Sequence, residues 1–259
     1  MELREPARPI RFTTNTMKLI AILAMLIDHL PYAVAPAASS YVMPWILFHL
    51  VGRLTAPIMF YSLVEGYHRT RNANRYALRL LLFAAISYVP YIYYFEEVLP
   101  NSDNFTSLNV LFTLFAGLMT LRAKNEIKNP LLRYPAMAAC MIPFLFTEWN
   151  FFGILIILVF EYFRGDKRAF TIGYVFVICG YIAHAADNYL LWRIPNISTE
   201  TLSTYLPYLL VLSCMLLPIL LIRRADTTHG QRAPLTKWGF YIFYPAHLLL
   251  LIFLRWLIA

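Results

Sequence analysis

Charge is what this sequence has least of. Lys and Arg (22) and Asp and Glu (14) together make up only 14% of 259 residues, against about 25% in a soluble domain. Hydrophobic residues reach 60% and the mean hydropathy is +0.58. From Met17 onward no polar block is long enough to fold alone, which argues against a separate soluble domain. Cysteine is nearly absent: Cys140, Cys179 and Cys214 each stand alone in an apolar segment, without CxxC spacing or an even count, and read as small buried hydrophobes. The sequence contains no Walker loop, GxGxxG, HExxH, GxSxG or zinc-ligand spacing. Nucleotide hydrolysis, Rossmann dinucleotide binding and metal catalysis therefore have no sequence support.

What is present is a series of apolar runs. Taking about 20 apolar residues as one membrane crossing, the runs predict spans near 17–36, 42–66, 75–95, 108–122, 131–147, 149–163, 168–190, 204–222 and 236–258. The fourth to sixth are short for a full crossing and the turn Thr147 to Asn150 is tight, so the expected count is nine within a range of eight to ten. The expected fold class is an all-α polytopic transmembrane helix bundle, with 1–16 as a cytosolic N-terminal segment and 17–259 as one membrane domain.

Basic residues test the alternation of loops. Arg4, Arg8, Arg11 and Lys18 precede the first span; Arg69, Arg71 and Arg75 follow the second; Arg122, Lys124, Lys128 and Arg133 follow the fourth. Arg164, Lys167 and Arg168 follow the sixth, and Arg223, Arg224, Arg232 and Lys237 follow the eighth, so every second loop is basic. The loop Glu96 to Ser107 carries acids and no base. The net charge of +8 is thus a topology signal that places the N-terminus in the cytosol. Nucleic acid is not an expected partner, whereas membrane lipid with anionic headgroups is. Asp28 and His29 interrupt the first apolar run, unlike the unbroken apolar core of a secretory signal.

An ionised side chain at the centre of a lipid-embedded helix costs at least about 2.5 to 3.5 kcal/mol, so each needs a partner or a watery cavity. Asp28 and His29 lie in the first span, Arg53 in the second and His247 in the last, all roughly 15 to 20 Å from the cytosolic ends of their helices at 1.5 Å per residue. At one depth on three helices they can converge on one cavity. Arg53 would neutralise Asp28, and a histidine can take and return a proton. Plain helix-to-helix pairing of Asp28 with Arg53 is the alternative. His49, Tyr32 and His184 with Asp187 lie nearer the outer face and read as packing or substrate-side residues. At the inner end of the second span, Glu65, His68, Arg69, Arg71, Arg75 and Arg79 cluster. They read either as an ordinary basic loop or as a site for a phosphorylated cytosolic donor, since Arg forks bind phosphate bidentately.

Five segments in order resemble the TraX family: KLIAILAMLIDHL (Lys18 to Leu30), VGRLTAPIMFYSLVEGYHRTRN (Val51 to Asn72), YALRLLLFAAISYVP (Tyr76 to Pro90), NVLFTL (Asn109 to Leu114) and FYPAHLLLL (Phe243 to Leu251). The named member of that family acetylates the N-terminal amine of conjugative pilin in the bacterial inner membrane. The resemblance implies that Asp28 and His29 supply a DH pair, Gly52 and Arg53 a GR pair, Pro57 a kink and Arg79 the basic residue of the third span. It likewise implies that Asn109 is a substrate-side asparagine, and that Tyr244 and His247 close the site. The VEG and TRN elements around Glu65 and Arg71 look more like the chromosomal branch of the family than the conjugative pilin acetylase itself.

The implied activity is an acetyltransferase with acetyl-CoA as donor and no metal. Arg71, Arg75 and Arg79, with His68 and Glu65, would hold the donor. His29, oriented by Asp28, would be the base; Arg53 or Tyr244 would steady the oxyanion; His247 would return the proton. The acceptor would be an amine of a pilin or pilin-like membrane protein, or a hydroxyl. A proton-coupled transporter built on Asp28, His29, Arg53 and His247 is the alternative, and a non-enzymatic membrane assembly factor is a third reading.

Overall fold

The computed structural model describes residues 12–34, 43–98, 107–145, 147–189, 209–226 and 234–258. The segment 1–11 and the stretches 35–42, 99–106, 190–208 and 227–233 lie outside the described residues, and with them Arg4, Arg8, Arg11, Arg193 and Arg232.

The described residues form helices α1 (Thr14–Val34), α2 (Met43–Gly52), α3 (Thr55–Arg69), α4 (Ala73–Val98), α5 (Val110–Glu126), α6 (Pro130–Met141), α7 (Asn150–Tyr162), α8 (Lys167–Tyr189), α9 (Leu209–Ile222) and α10 (Pro234–Ile258). Strand content among them is one parallel pair of two residues, β1 (Phe12–Thr13) with β2 (Ala225–Asp226), and an isolated bridge between Leu108 and Thr147. The all-α expectation holds for everything else described.

Local chemistry sets the helix ends. Asn109 and Asn129 cap α5 and α6 by accepting the Leu111 and Leu131 N–H groups, and Pro130 follows its cap where no N–H is needed. Asn72 Oδ1 accepts the Arg75 N–H at the start of α4. Asp166 Oδ1 accepts the Arg168 and Ala169 N–H groups ahead of α8. Gly165, at φ +95°, makes the α7 to α8 turn in a conformation that favours glycine.

The expected second span is not one helix. It breaks at Arg53 and Leu54, where Leu54 N–H bonds back to the Val51 carbonyl in a tighter turn. Pro57 is the cause: its ring crowds the carbonyl four residues earlier, that of Arg53, and offers it no N–H.

Five stretches are long and apolar enough to cross a membrane: Thr14–Val34, Ile46–Arg69, Ala73–Phe95, Lys167–Ala185 and Trp238–Ile258; Asn150–Tyr162 and Leu209–Ile222 are shorter apolar helices. The expected fourth, fifth and sixth spans become α5, α6 and α7, of 17, 12 and 13 residues. That is about 26, 18 and 20 Å at 1.5 Å per residue, short of a hydrocarbon core of about 30 Å.

α1 packs on α2, α3 and α10; α4 on α5 and α10; α5 on α6 and α7; and α7 on α3 and α8. Small residues permit the close approach of α1 and α3, where Thr55 Oγ1 donates to the Ala21 carbonyl. Contacts sort by end. Glu65 meets Arg164, Arg69 meets Thr14 and Lys167 donates to the Arg223 carbonyl, all at the end carrying the basic turns. Leu108 pairs with Thr147 at the other.

Candidate functional site

Five helices and one turn line a cavity of about 50 Å³, room for three or four waters by the usual measure. It is lined by Asp28 and His29 of α1, Arg53 at the α2 to α3 break, Val110 at the start of α5, Glu148 and Trp149 before α7, and Tyr244 of α10. Asp28 is 14 residues along α1 from Thr14, Arg53 is 16 before Arg69 and His247 is 13 beyond Pro234. Those separations correspond to about 21, 24 and 20 Å. The structure brings together the intramembrane residues expected to meet, but their pairing differs from expectation.

Asp28 does not orient His29. Its Oδ1 accepts a hydrogen bond from His49 Nδ1 at 2.7 Å and faces Arg53 Nη2 at 3.9 Å. Consecutive helical residues point about 100° apart: Asp28 turns toward α2 while His29 turns toward α10. Gly52 makes this possible, since a Cβ there would sit 2.1 Å from Asp28 Cγ. The Arg53 Nε is buried with no hydrogen-bond partner.

His29 Nδ1 lies 3.0 Å from His247 Nε2, and the two rings stack at 14°. His247 Nδ1 lies 3.0 Å from the Phe243 carbonyl oxygen. A carbonyl can only accept, so His247 Nδ1 carries the hydrogen, and in the neutral ring its Nε2 holds a lone pair. His29 Nδ1–H then donates to that lone pair, which leaves His29 Nε2 as the basic nitrogen. His29 lines the cavity and His247 stands behind it. Tyr94 Oη donates to the His29 carbonyl at 2.6 Å, Phe95 packs edge-on to the His29 ring, and Tyr244 packs edge-on to His247.

Asn109, expected beside the substrate, is fully buried. Its Oδ1 caps α5 and its Nδ2 donates to the Ala84 carbonyl of α4 at 2.9 Å, so its amide positions the start of α5 at the cavity.

The inner cluster divides. Glu65 is buried and paired with Arg69 at 3.3 Å and Arg164 at 3.0 Å. His68 Nε2 donates to Glu161 Oε2 at 2.7 Å, while Lys124 and Asn125 donate to Glu161 Oε1, both at 2.9 Å. Glu65 and His68 thus fasten α3, α5 and α7 at their inner ends. Glu126 is held below the usual carboxylate range by hydrogen bonds from Arg122. Arg71 and Arg75 are exposed beside the α3 to α4 turn. Arg79, one turn on from Arg75, lies over the rings of Tyr76 at 5.7 Å and Tyr241 at 6.0 Å, and its Nε is buried without a hydrogen-bond partner. Tyr241 in turn stands three residues before the cavity-lining Tyr244.

Two residues, His49 behind Asp28 and Glu148 in the cavity wall, carry more weight here than their sequence context suggested. His49 had a usable signal: it precedes Arg53 by four residues and so shares its helix face. Glu148 had a weaker one, an acid next to a tryptophan in a short turn between apolar segments. Among the described residues no group of three or more His, Cys, Asp or Glu is arranged to hold a metal ion.

The TraX protein family profile matches residues 13–255. The chain belongs to the TraX family. It is similar to the probable fimbrial assembly protein FimC, serogroup H1, of Dichelobacter nodosus, with 28% identity over 249 residues, covering 95% of this chain and 96% of that protein. No solved structure matches. TraX membership, together with its apolar helices, makes this a multi-pass membrane protein.

Proposed function

We propose that this TraX protein is an acetyltransferase of the bacterial inner membrane that moves an acetyl group from cytosolic acetyl-CoA to an amine or hydroxyl of a pilin-like or other membrane acceptor. The observation that carries this reading is the hydrogen-bonded His29–His247 pair, whose His29 lines a small cavity with Asp28, Arg53 and Tyr244. The proposed orientation has the N-terminus and the basic turns in the cytosol and about nine crossings. The similarity to a fimbrial assembly protein favours a pilus-subunit acceptor.

For an amine acceptor, its neutral nitrogen attacks the thioester carbonyl, forming a C–N bond, and His29 Nε2 takes the proton that the nitrogen sheds. The resulting charge spreads through Nδ1 to His247. Arg53 and Tyr244 stabilise the oxyanion of the tetrahedral intermediate. Its collapse breaks the C–S bond, and the imidazolium returns its proton to the departing thiolate, giving free CoA and the acetyl amide. An ammonium acceptor first gives one proton to solvent. Asp28, held by His49, keeps Arg53 in place and balances its charge. On the donor side, Arg75 and Arg79 descend one face of α4 from the inner end, at successive turns, toward Tyr241 and Tyr244 of α10. They would bind the phosphates of CoA.

Acetyl-CoA binding to purified protein in detergent tests the reading, comparing wild type with Arg79→Ala and Asp28→Ala. Binding lost in the first and retained in the second is expected. Absence of binding in wild type would overturn the reading and shift the weight to a proton-coupled transporter using the same cavity.

A further inference from the structure

We infer that Glu148 is the residue that receives the acceptor, holding its ammonium at a cavity mouth that opens on the outer side of the membrane. This rests on the acetyltransferase reading and adds to it a binding residue and a side.

Glu148 combines two properties. It lines the cavity, yet as a whole residue it is exposed, whereas His29 and Tyr244 beside it are buried and Asp28 and Arg53 are largely so. The cavity therefore opens where Glu148 stands. The turn carrying it is pinned by backbone bonds: Glu148 N–H donates to the Leu108 carbonyl at 2.8 Å and Asn150 N–H to the Thr147 carbonyl at 2.9 Å. Trp149 is buried between Phe60 and Tyr181. The carboxylate is consequently presented at a fixed place.

The mouth lies at the end of the bundle opposite the basic turns. Its turn bridges to Leu108, just ahead of α5, while the other ends of α5 and α7 carry Lys124 and Glu161 in the inner ion-pair cluster. On the inner side α3 and α7 are closed by Glu65, Arg164, His68 and Glu161. A membrane protein substrate displayed outside the cytosol has its approach at Glu148.

Charge selects what is held there. Two acids, Asp28 and Glu148, face one guanidinium, Arg53, with His49 on Asp28. Burial raises Glu148 to about 7, so an arriving ammonium would draw it into its charged form. Asp28 is already bound by His49 and Arg53. Glu148 meets the Val110 N–H at the first turn of α5, which leaves most of a carboxylate's roughly four lone-pair sites for a donor from outside. A cavity of about 50 Å³ admits a slim chain end. An ammonium held by Glu148 lies at the mouth of the cavity that His29, the base it must meet after losing a proton, also lines.

Steady-state kinetics in lipid nanodiscs test the residue, using a short peptide with a free amino terminus and its counterpart with an α-hydroxyl in place of the amine. For Glu148→Gln the amine peptide's KM is expected to rise about tenfold or more, the scale of one hydrogen bond to a charged group, with kcat within about twofold and acetyl-CoA KM unchanged. An unchanged amine KM, or equal loss on both peptides, overturns the assignment. Equilibrium binding of radiolabelled amine peptide to wild type and Glu148→Gln, without acetyl-CoA, decides the same point should the wild type transfer no acetyl group; that last result would sink the acetyltransferase reading alone. The side is tested with Glu148→Cys in a variant whose Cys140, Cys179 and Cys214 are replaced by alanine. Labelling by a membrane-impermeant maleimide in right-side-out vesicles is expected, and labelling only in inverted vesicles overturns outer access.

Discussion

Gly52 stands directly against Asp28. A methyl group on Gly52 would overlap the Asp28 side chain as far back as its Cβ, 2.4 Å away, so neither a rotamer change nor a small shift relieves the contact. Gly52→Ala is expected to displace Asp28 from His49 and Arg53, abolishing acetyl transfer while the protein still inserts. Gly117→Ala is the comparison: its close neighbour is the flexible tip of Ile157, 2.2 Å away. It should keep most activity. Transfer assays and thermal melting of both variants in detergent check this.

His247 acts by accepting the His29 Nδ1 hydrogen. His247→Phe keeps a ring stacked on Phe243 but removes that lone pair, so the tautomer that makes His29 Nε2 basic is no longer enforced. A fall of about 10²-fold or more in kcat is expected, the usual worth of a positioned general base, with acetyl-CoA binding unchanged. His247→Gln, which retains an acceptor oxygen, should recover part of the rate. Single-turnover kinetics distinguish the two.

Asn109 separates capping from catalysis. Asn109→Ala loses the α5 cap, worth about 1 kcal/mol, and the bond to the Ala84 carbonyl. Asn109→Ser keeps a capping oxygen without placing a charge against the Ala84 carbonyl. If its role is to hold the start of α5, stability in denaturant should rank wild type above Ser above Ala, and activity should follow stability.

Glu161 binds His68, Lys124 and Asn125 with both oxygens. Glu161→Ala leaves two basic groups without their buried counter-charge, a change that costs about 3 kcal/mol or more when a buried pair is broken. Glu126→Gln removes only an exposed pair with Arg122 and should fall within about 1 kcal/mol. Melting curves for the two should differ clearly in midpoint.

Depth was legible in the sequence and direction was not. Counting residues from the basic turns placed Asp28, Arg53 and His247 at a common level, because rise per residue is nearly constant in a helix. Which neighbour each side chain meets depends on helix rotation. Asp28 and His29 are adjacent in sequence, so they were always bound to face different helices, and the expected DH partnership could not survive that geometry. The run 42–66 is largely apolar, interrupted by His49, Arg53 and Glu65, and Pro57, with Gly52 ahead of it, marks a break. Proline is tolerated within membrane helices, so it signals a kink without fixing where the backbone opens. Glu65 and His68 stand at the inner end as their place in the sequence implied, but as ion-pair residues. Their partners, Arg164 and Glu161, lie 99 and 93 residues away, and no local pattern could name them. Glu148 needed the bridge from Thr147 to Leu108 before its turn could be placed at the cavity.

The His29–His247 bond also sets a timetable. Its two halves are separated by 218 positions, and β1 likewise finds its strand partner only at Ala225 and Asp226. During synthesis, α1 leaves the ribosome carrying Asp28 and His29 long before the helix that completes them exists. The nascent chain has no ordered base until α10 has been inserted and packed against α1. A chain stalled or clipped before that step would hold most of its mass in the bilayer and still be chemically silent.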